Sequence, residues 1–104
     1  MDQLLDGALE MKMQSKQLEK EAKKSQAKAD AEKKKAAQML NKGDMESAKI
    51  LAGECIRFTK ESVNLNRMSA KMGACALKLE QAHRTQAISA QIRQATPSIQ
   101  YALD

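Results

Sequence analysis

The sequence predicts an all-α protein, a long antiparallel helical hairpin of helix 1 and helix 2 followed by a shorter third helical segment. Three observations predict it. Aromatic residues are nearly absent, with Phe58 and Tyr101 alone and no Trp, whereas a compact globule of this size draws on aromatics for buried area. The chain is rich instead in Ala, Lys, Glu, Gln, Met and Leu, the strong helix formers. Apolar and small residues also recur in heptads on both sides of a single turn signal. At 104 residues the chain reads as one domain. A two-helix arrangement buries little surface, so its stability is expected to depend on helix pairing and on neighbouring subunits.

Helix 1 is expected over about Asp2–Asn41, a stretch without Pro whose one glycine is Gly7. Its stripe runs Leu4, Ala8, Met11, Ser15, Leu18, Ala22, Ser25 and Ala29, passes the polar Glu32, and resumes at Ala36 and Met39. Most of these residues are small, so two helices can approach closely while each contact buries little area. Asn41-Lys42-Gly43-Asp44 is the turn. Gly43 suits a left-handed C-cap and Asp44 the N-cap of the next helix. Ser47 follows three residues on, so the reciprocal capping box is incomplete. So short a connection makes the two helices antiparallel neighbours.

Helix 2, from about Asp44 to Arg84 or beyond, carries the cleaner repeat. Leu51, Phe58, Leu65, Met72 and Leu79 fall seven apart, with a companion column of Cys55, Ser62, Ser69, Ala76 and His83. Leu4, Met11 and Leu18 of helix 1 and the leucine column of helix 2 are the expected hairpin seam. A third column, Ile56, Val63, Ala70 and Leu77, lies about 140° around the helix from the first. That apolar face is wider than one seam needs, so this column is expected to meet helix 3 or another copy of the chain. From about residue 85 to 104 the pattern loosens. Thr96-Pro97 reads as an N-cap with proline at the first helical position, which predicts a short helix from Pro97 to about Leu103 after a bend or break. Whether Arg84–Ala95 is a separate segment or continues helix 2 is open at this stage.

The formal net charge is +5, which favours an acidic partner, lipid headgroups or nucleic acid. On a helical wheel with Lys12 at zero, Lys12, Lys16, Lys20, Lys23, Lys24, Lys28, Lys34, Lys35 and Lys42 fall between about 0° and 160°. Leu4, Met11, Leu18, Ala22, Ala29 and Ala36 fall near −80° to −120°, roughly opposite. Glu19, Glu21, Asp30 and Glu32 sit at or beyond the edges of the lysine arc. A charged face often only keeps a long helix soluble, but lysines near an anionic leaflet contribute about 1 kcal/mol each. The stripe of Lys12 to Lys35 is expected to lie on headgroups, not among acyl chains. Leu4, Leu5 and Leu9 are the alternative apolar anchor. Nucleic acid competes for the same lysines, though the aromatics that stack on single strands are missing.

No catalytic or cofactor site is expected. His83 is the sole histidine and falls in the small-residue column of helix 2. Cys55 and Cys75 would lie about 30 Å apart on one helix, beyond reach of an internal disulfide. They read as reduced, buried small residues of a cytosolic protein. Cys75 and His83 lack a metal-ligand spacing and further ligands. There is no phosphate-binding loop or nucleophile elbow. Met11, Met39 and Met72, of seven methionines, are expected as core or interface filler. No apolar run is long enough to span a bilayer, so any membrane contact is expected to be peripheral.

Four stretches carry a family resemblance. They are Lys16-Gln17-Leu18-Glu19-Lys20 with Ala22-Lys23-Lys24; Lys42-Gly43-Asp44-Met45-Glu46 with Ala48-Lys49-Ile50; Ala52 with Glu54, Ile56 and Arg57; and Val63-Asn64 with Arg67-Met68-Ser69-Ala70-Lys71. From about Ala8 to Ala82 the chain resembles ESCRT-III proteins, and within them the type-1 charged multivesicular body proteins. The resemblance implies a non-enzymatic subunit that binds anionic membranes, assembles with itself and other ESCRT-III subunits, and serves endosomal sorting and scission. It implies a cytoplasmic, membrane-peripheral location. It also implies an AAA ATPase as partner, through a C-terminal helix that would lie beyond Asp104. The alternative is a nucleic-acid-binding or adaptor coiled-coil hairpin without membrane activity.

Overall fold

The computed structural model describes residues 2–103. Two α-helices account for nearly all of them, α1 over Gln3–Asn41 and α2 over Met45–Leu103. They form an antiparallel hairpin measuring 91 × 22 × 12 Å, with a Cα radius of gyration of 25.1 Å. A compact domain of about 100 residues would have a radius near 13 Å, so the hairpin has no globular centre. Its core is a line.

That line consists of small side chains. The buried residues of α1 are Ala8, Ala22, Ser25, Ala29 and Ala36, and those of α2 are Ala48, Ser62, Ser69 and Ala76. Hydrogen bonds between the helices fix the register. The Ser15 hydroxyl donates to the Ser69 carbonyl at 2.9 Å, and the Ser69 hydroxyl donates back to the Ser15 carbonyl at 2.8 Å. One heptad nearer the turn, the Ser62 hydroxyl donates to the Ala22 carbonyl at 2.9 Å. The same register sets Ala8 opposite Ala76, Ala29 opposite Cys55, and Ala36 opposite Ala48. A serine hydroxyl reaches a carbonyl of the facing helix only when the two backbones are close. Alanine and serine in every layer allow that approach. Gly73 lies in the same seam, where a Cβ would meet the Ser15 hydroxyl at 3.7 Å.

The large apolar residues flank this line. Leu4, Met11, Leu18, Leu51, Phe58, Leu65, Met72 and Leu79 are all half-buried. They close the sides of the seam while the small column forms its centre.

The turn follows the sequence closely. Gly43 has φ 81°, the left-handed conformation a glycine adopts without strain. The Gly43 N–H donates to the Leu40 carbonyl at 3.0 Å and the Asp44 N–H to the Met39 carbonyl at 2.9 Å, which together make a Schellman motif. Asp44 then caps α2 by accepting from the Ser47 N–H at 3.0 Å. The Ser47 hydroxyl and backbone N–H hold the Asp44 carboxyl below its usual range, against a smaller upward push from desolvation. Asp2 caps α1 in the same way through the Leu4 N–H, at 3.0 Å. Desolvation pushes the Asp2 carboxyl upward. The Leu4 N–H, the adjacent His83 and the Leu5 N–H together outweigh it and leave the group lowered.

The C-terminal end of α2 corrects one expectation. No break precedes Pro97, and the segment over residues 85–103 is the straight continuation of α2. Asp104 lies outside the described residues. The expected N-cap Thr96 instead turns its hydroxyl back to the Ile92 carbonyl, at 2.8 Å, within the helix. Pro97 has no N–H for the Arg93 carbonyl, but every residue from Ala90 to Leu103 is exposed, so water can supply the missing donor. Because α1 begins beside His83, α2 projects past the hairpin by about 20 residues, or about 30 Å.

Two outcomes follow from this seam and its caps. Ala76 is fully buried, and a leucine there would force the backbones apart. Ala76→Leu should cost about 1–3 kcal/mol in thermal unfolding followed by circular dichroism, whereas Ala74→Leu, on an exposed face, should leave the transition unchanged. The carboxyls of Asp2 and Asp44 are both depressed from 3.8. Their stabilisation is therefore full above that value and is lost as pH falls through the folded values. Helicity should decline on acidification in the parent and less steeply in the Asp2→Asn/Asp44→Asn variant.

Candidate functional site

The first candidate surface is the outer face of α1. Lys12, Lys16, Lys20, Lys23, Lys24, Lys28, Lys34 and Lys35 are all exposed. They do not form one uniform row. Lys12 pairs across the hairpin with Glu80. Lys28 reaches toward α2 on the other side, its ammonium 5.6 Å from the centre of the Phe58 ring. Lys24 and Lys28 border a shallow recess with Glu61 and Leu65 of α2. Lys35 pairs with Glu32 of its own helix at 3.5 Å. Lys16, Lys20, Lys23 and Lys34 form no ion pair among the described residues, and on the wheel Lys20 lies farthest from the seam. The arc thus has outward-pointing central lysines and edges that fold over the flanks of the hairpin. A long methylene stem bends toward whichever carboxylate or aromatic face lies within its reach.

Three residues on this face escape a reading made from charge alone. Leu5, Leu9 and Met13 are exposed, Leu9 by 53% and Met13 by 72%. Their wheel positions, about 20°, 60° and 100°, fall inside the lysine arc. Their spacing of four was visible in the sequence. Leu4, by contrast, is half-buried against α2.

The second candidate surface lies on α2. Ile56, Val63, Ala70 and Leu77 are exposed, Val63 by 50% and Leu77 by 51%. Among the described residues no third helix covers them, because the segment expected to do so extends away along α2. The stripe continues onto the projecting end through Ile88, Ile92, Ile99 and Leu103, all exposed. A monomer leaves this row in water.

The remaining polar residues have structural roles. The Nδ1 atom of His83, shielded from solvent, lies against the Asp2 carboxylate and ties the start of α1 to α2. Arg57 forms an ion pair with Glu54 at 2.6 Å and stacks 4.4 Å from the centre of the Phe58 ring. Cys55 and Cys75 are free thiols, but the burial expected of both does not hold: Cys55 is half-buried and Cys75 is exposed, because a two-helix seam covers only one side of α2. Among the described residues no group of three or more His, Cys, Asp or Glu side chains could hold a metal. Among the described residues no helix is long and apolar enough to cross a membrane.

The profile of the Snf7 family matches residues 7–102. The chain belongs to the Snf7 family. Within it the chain is similar to the type-1 charged multivesicular body proteins of ESCRT-III. It is 35% identical over 80 residues to charged multivesicular body protein 1 of Dictyostelium discoideum, covering 77% of this chain and 42% of that protein. It is 31% identical over 98 residues to charged multivesicular body protein 1a of Danio rerio, covering 94% and 50%. The human protein 1b is 41% identical over 66 residues, covering 64% and 33%. The chain therefore spans half or less of the length of these relatives. The match takes in the whole turn, the seam from Ala8 onward, and both candidate surfaces of the Snf7 hairpin except Leu5 and Leu103.

Proposed function

We propose that this chain is the core of a non-enzymatic ESCRT-III subunit that docks on anionic membranes and polymerises there. The process it would serve is endosomal sorting into multivesicular bodies and the associated scission, at the cytoplasmic face of the membrane. One observation carries the reading: the unpaired lysines and the exposed apolar stripe lie on different helices of the same rigid hairpin. One helix can therefore contact a charged surface while the other contacts protein. In this reading Lys16, Lys20, Lys23 and Lys34 give the main attraction. Lys24 and Lys28 add to it at one edge, and Lys12 and Lys35 add less because their charges are already compensated within the protein. Ile56, Val63, Ala70 and Leu77 form the contact with another ESCRT-III subunit or a second copy of this chain.

The docking half is tested by reversing charge. Lys16→Glu/Lys20→Glu/Lys23→Glu should abolish co-sedimentation with phosphatidylserine vesicles. Circular dichroism of this variant should match the parent, because no seam residue changes. Parent binding should fall as salt rises, since exposed charges are screened within about 10 Å at 0.1 M ionic strength. Glu19→Gln/Glu21→Gln should strengthen it. Binding to nucleic acid in preference to vesicles would reject the membrane assignment.

Val63→Glu tests the assembly half. Val63 is half exposed, so the monomer should keep its helicity. Electron microscopy of vesicle-bound material should show filaments for the parent and none for the variant. Normal filaments from Val63→Glu would place the subunit contact elsewhere.

A further inference from the structure

Three threonines of α2 hold the same local pose. The hydroxyls of Thr59, Thr85 and Thr96 turn back to the carbonyls of Cys55, Gln81 and Ile92, at 2.9, 3.0 and 2.8 Å, and all three residues are exposed. Thr96 alone is followed by proline, and it alone lies beyond the part of α2 that faces α1. We propose that Thr96 is the acceptor for a proline-directed protein kinase, and that phosphate there charges the apolar stripe of the projecting helix and withholds it from a neighbouring subunit. The acceptor assignment stands on the chain itself. Its consequence rests on the subunit contact proposed above.

A kinase cleft takes its acceptor from extended chain, so the helix around that residue must open. At Thr59 opening would disturb the seam, where the nearby Ser62 hydroxyl holds the Ala22 carbonyl. At Thr85 it would disturb the adjoining contact of His83 with Asp2. At Thr96 it breaks only solvated turns, because every residue from Ala90 to Leu103 is exposed and a helix without a partner is marginal in water. Pro97 weakens those turns further. It supplies no N–H to the Arg93 carbonyl and favours extended backbone at Thr96, the residue before it. The same missing N–H is what such a kinase reads. An apolar pocket after the acceptor admits proline, whereas another residue brings a donor that the pocket leaves unpaired. The Thr96 Oγ1 atom attacks the γ-phosphorus of ATP, and its proton passes to the kinase's catalytic aspartate. The bond from that phosphorus to the β,γ-bridging oxygen breaks, and ADP leaves.

The position of Thr96 on the wheel gives the phosphate its effect. Ile88, Ile92, Thr96, Ile99 and Leu103 fall within about 80° of one another, and Thr96 is the one polar residue among them. A group of charge about −1.5 to −2 would therefore stand in the row between Ile92 and Ile99. A neighbour closing over the row would have to strip water from that charge without pairing it. Arg93 is the one charged residue over 88–103, and it lies about 60° outside the row, where it can offset part of the charge but does not cover it.

The full chain should be incubated with ATP and each of two purified proline-directed kinases, one cyclin-dependent and one mitogen-activated. Peptide mass spectrometry then locates the phosphate. Incorporation is expected at Thr96 and absent at Thr59 and Thr85. It should vanish in Thr96→Val and fall about tenfold or more in Pro97→Ala. The phosphorylated protein should still co-sediment with phosphatidylserine vesicles, because the docking lysines lie on α1, but its filaments should be lost in electron microscopy. Kinase-treated Thr96→Val should form filaments as the untreated parent does.

No incorporation at Thr96 by either kinase, or incorporation that Pro97→Ala leaves unchanged, rejects the acceptor assignment. Filaments that persist after full phosphorylation reject the blocked contact. Loss of vesicle binding together with the filaments assigns the effect to docking and rejects it likewise. A parent that forms no filaments overturns the assembly reading and the consequence drawn from it, while the labelling decides the acceptor independently.

Discussion

The close approach of two backbones along a seam of alanine and serine is the constraint on which the rest of this structure depends. A helix pair gains little free energy from burying methyl groups and hydroxyls, at about 25 cal/mol per Å² of apolar area. It gains proximity instead. The Ser15, Ser62 and Ser69 hydroxyls reach carbonyls on the facing helix, so these three hydroxyls enter the seam with their hydrogen bonds made. These bonds also fix the register, because a slip by one residue would carry each hydroxyl about 100° away from its acceptor.

With the centre of the seam filled by small residues, the larger ones have nowhere to go but outward. Leu18, Phe58 and Met72 stop halfway, closing the flanks. Phe58 becomes a platform for Arg57 and Lys28. Ile56, Val63 and Leu77, a further part of the way around α2, remain in water. A larger core would have absorbed them. The same feature that makes the hairpin thin therefore leaves it with apolar surface to spare, and a thin ribbon with one basic helix face and one apolar helix face is suited to lie between a charged sheet and its own neighbours.

The projecting end of α2 extends this logic. Beyond Gln86 there is no α1 to pair with, yet Ile88, Ile92 and Ile99 continue the apolar stripe. A solitary helix of that length is marginal in water. Here it is nucleated by the paired portion of α2 and needs only to propagate. Pro97 removes a single hydrogen bond on a fully solvated turn.

The sequence by itself determined the class of fold, the antiparallel pairing, the position of the turn and the identity of the lysine face. Each of these rests on local chemistry or on period. Gly43 needs positive φ, Asp44 offers a capping oxygen, and heptad columns of small residues keep to one side of a helix whatever surrounds it. The tertiary structure decided what those rules leave free. It made the companion column, and not the leucine column, the centre of the seam, since only backbone separation determines which side chains fit between. It turned Lys12 and Lys28 away from their neighbours because Glu80 and Phe58 of the other helix came within reach. It carried α2 through Pro97, where the sequence signalled a start, because the paired turns behind it had already fixed the helical path. It also left Leu5, Leu9 and Met13 on the basic face, because the seam claims only the opposite side of α1.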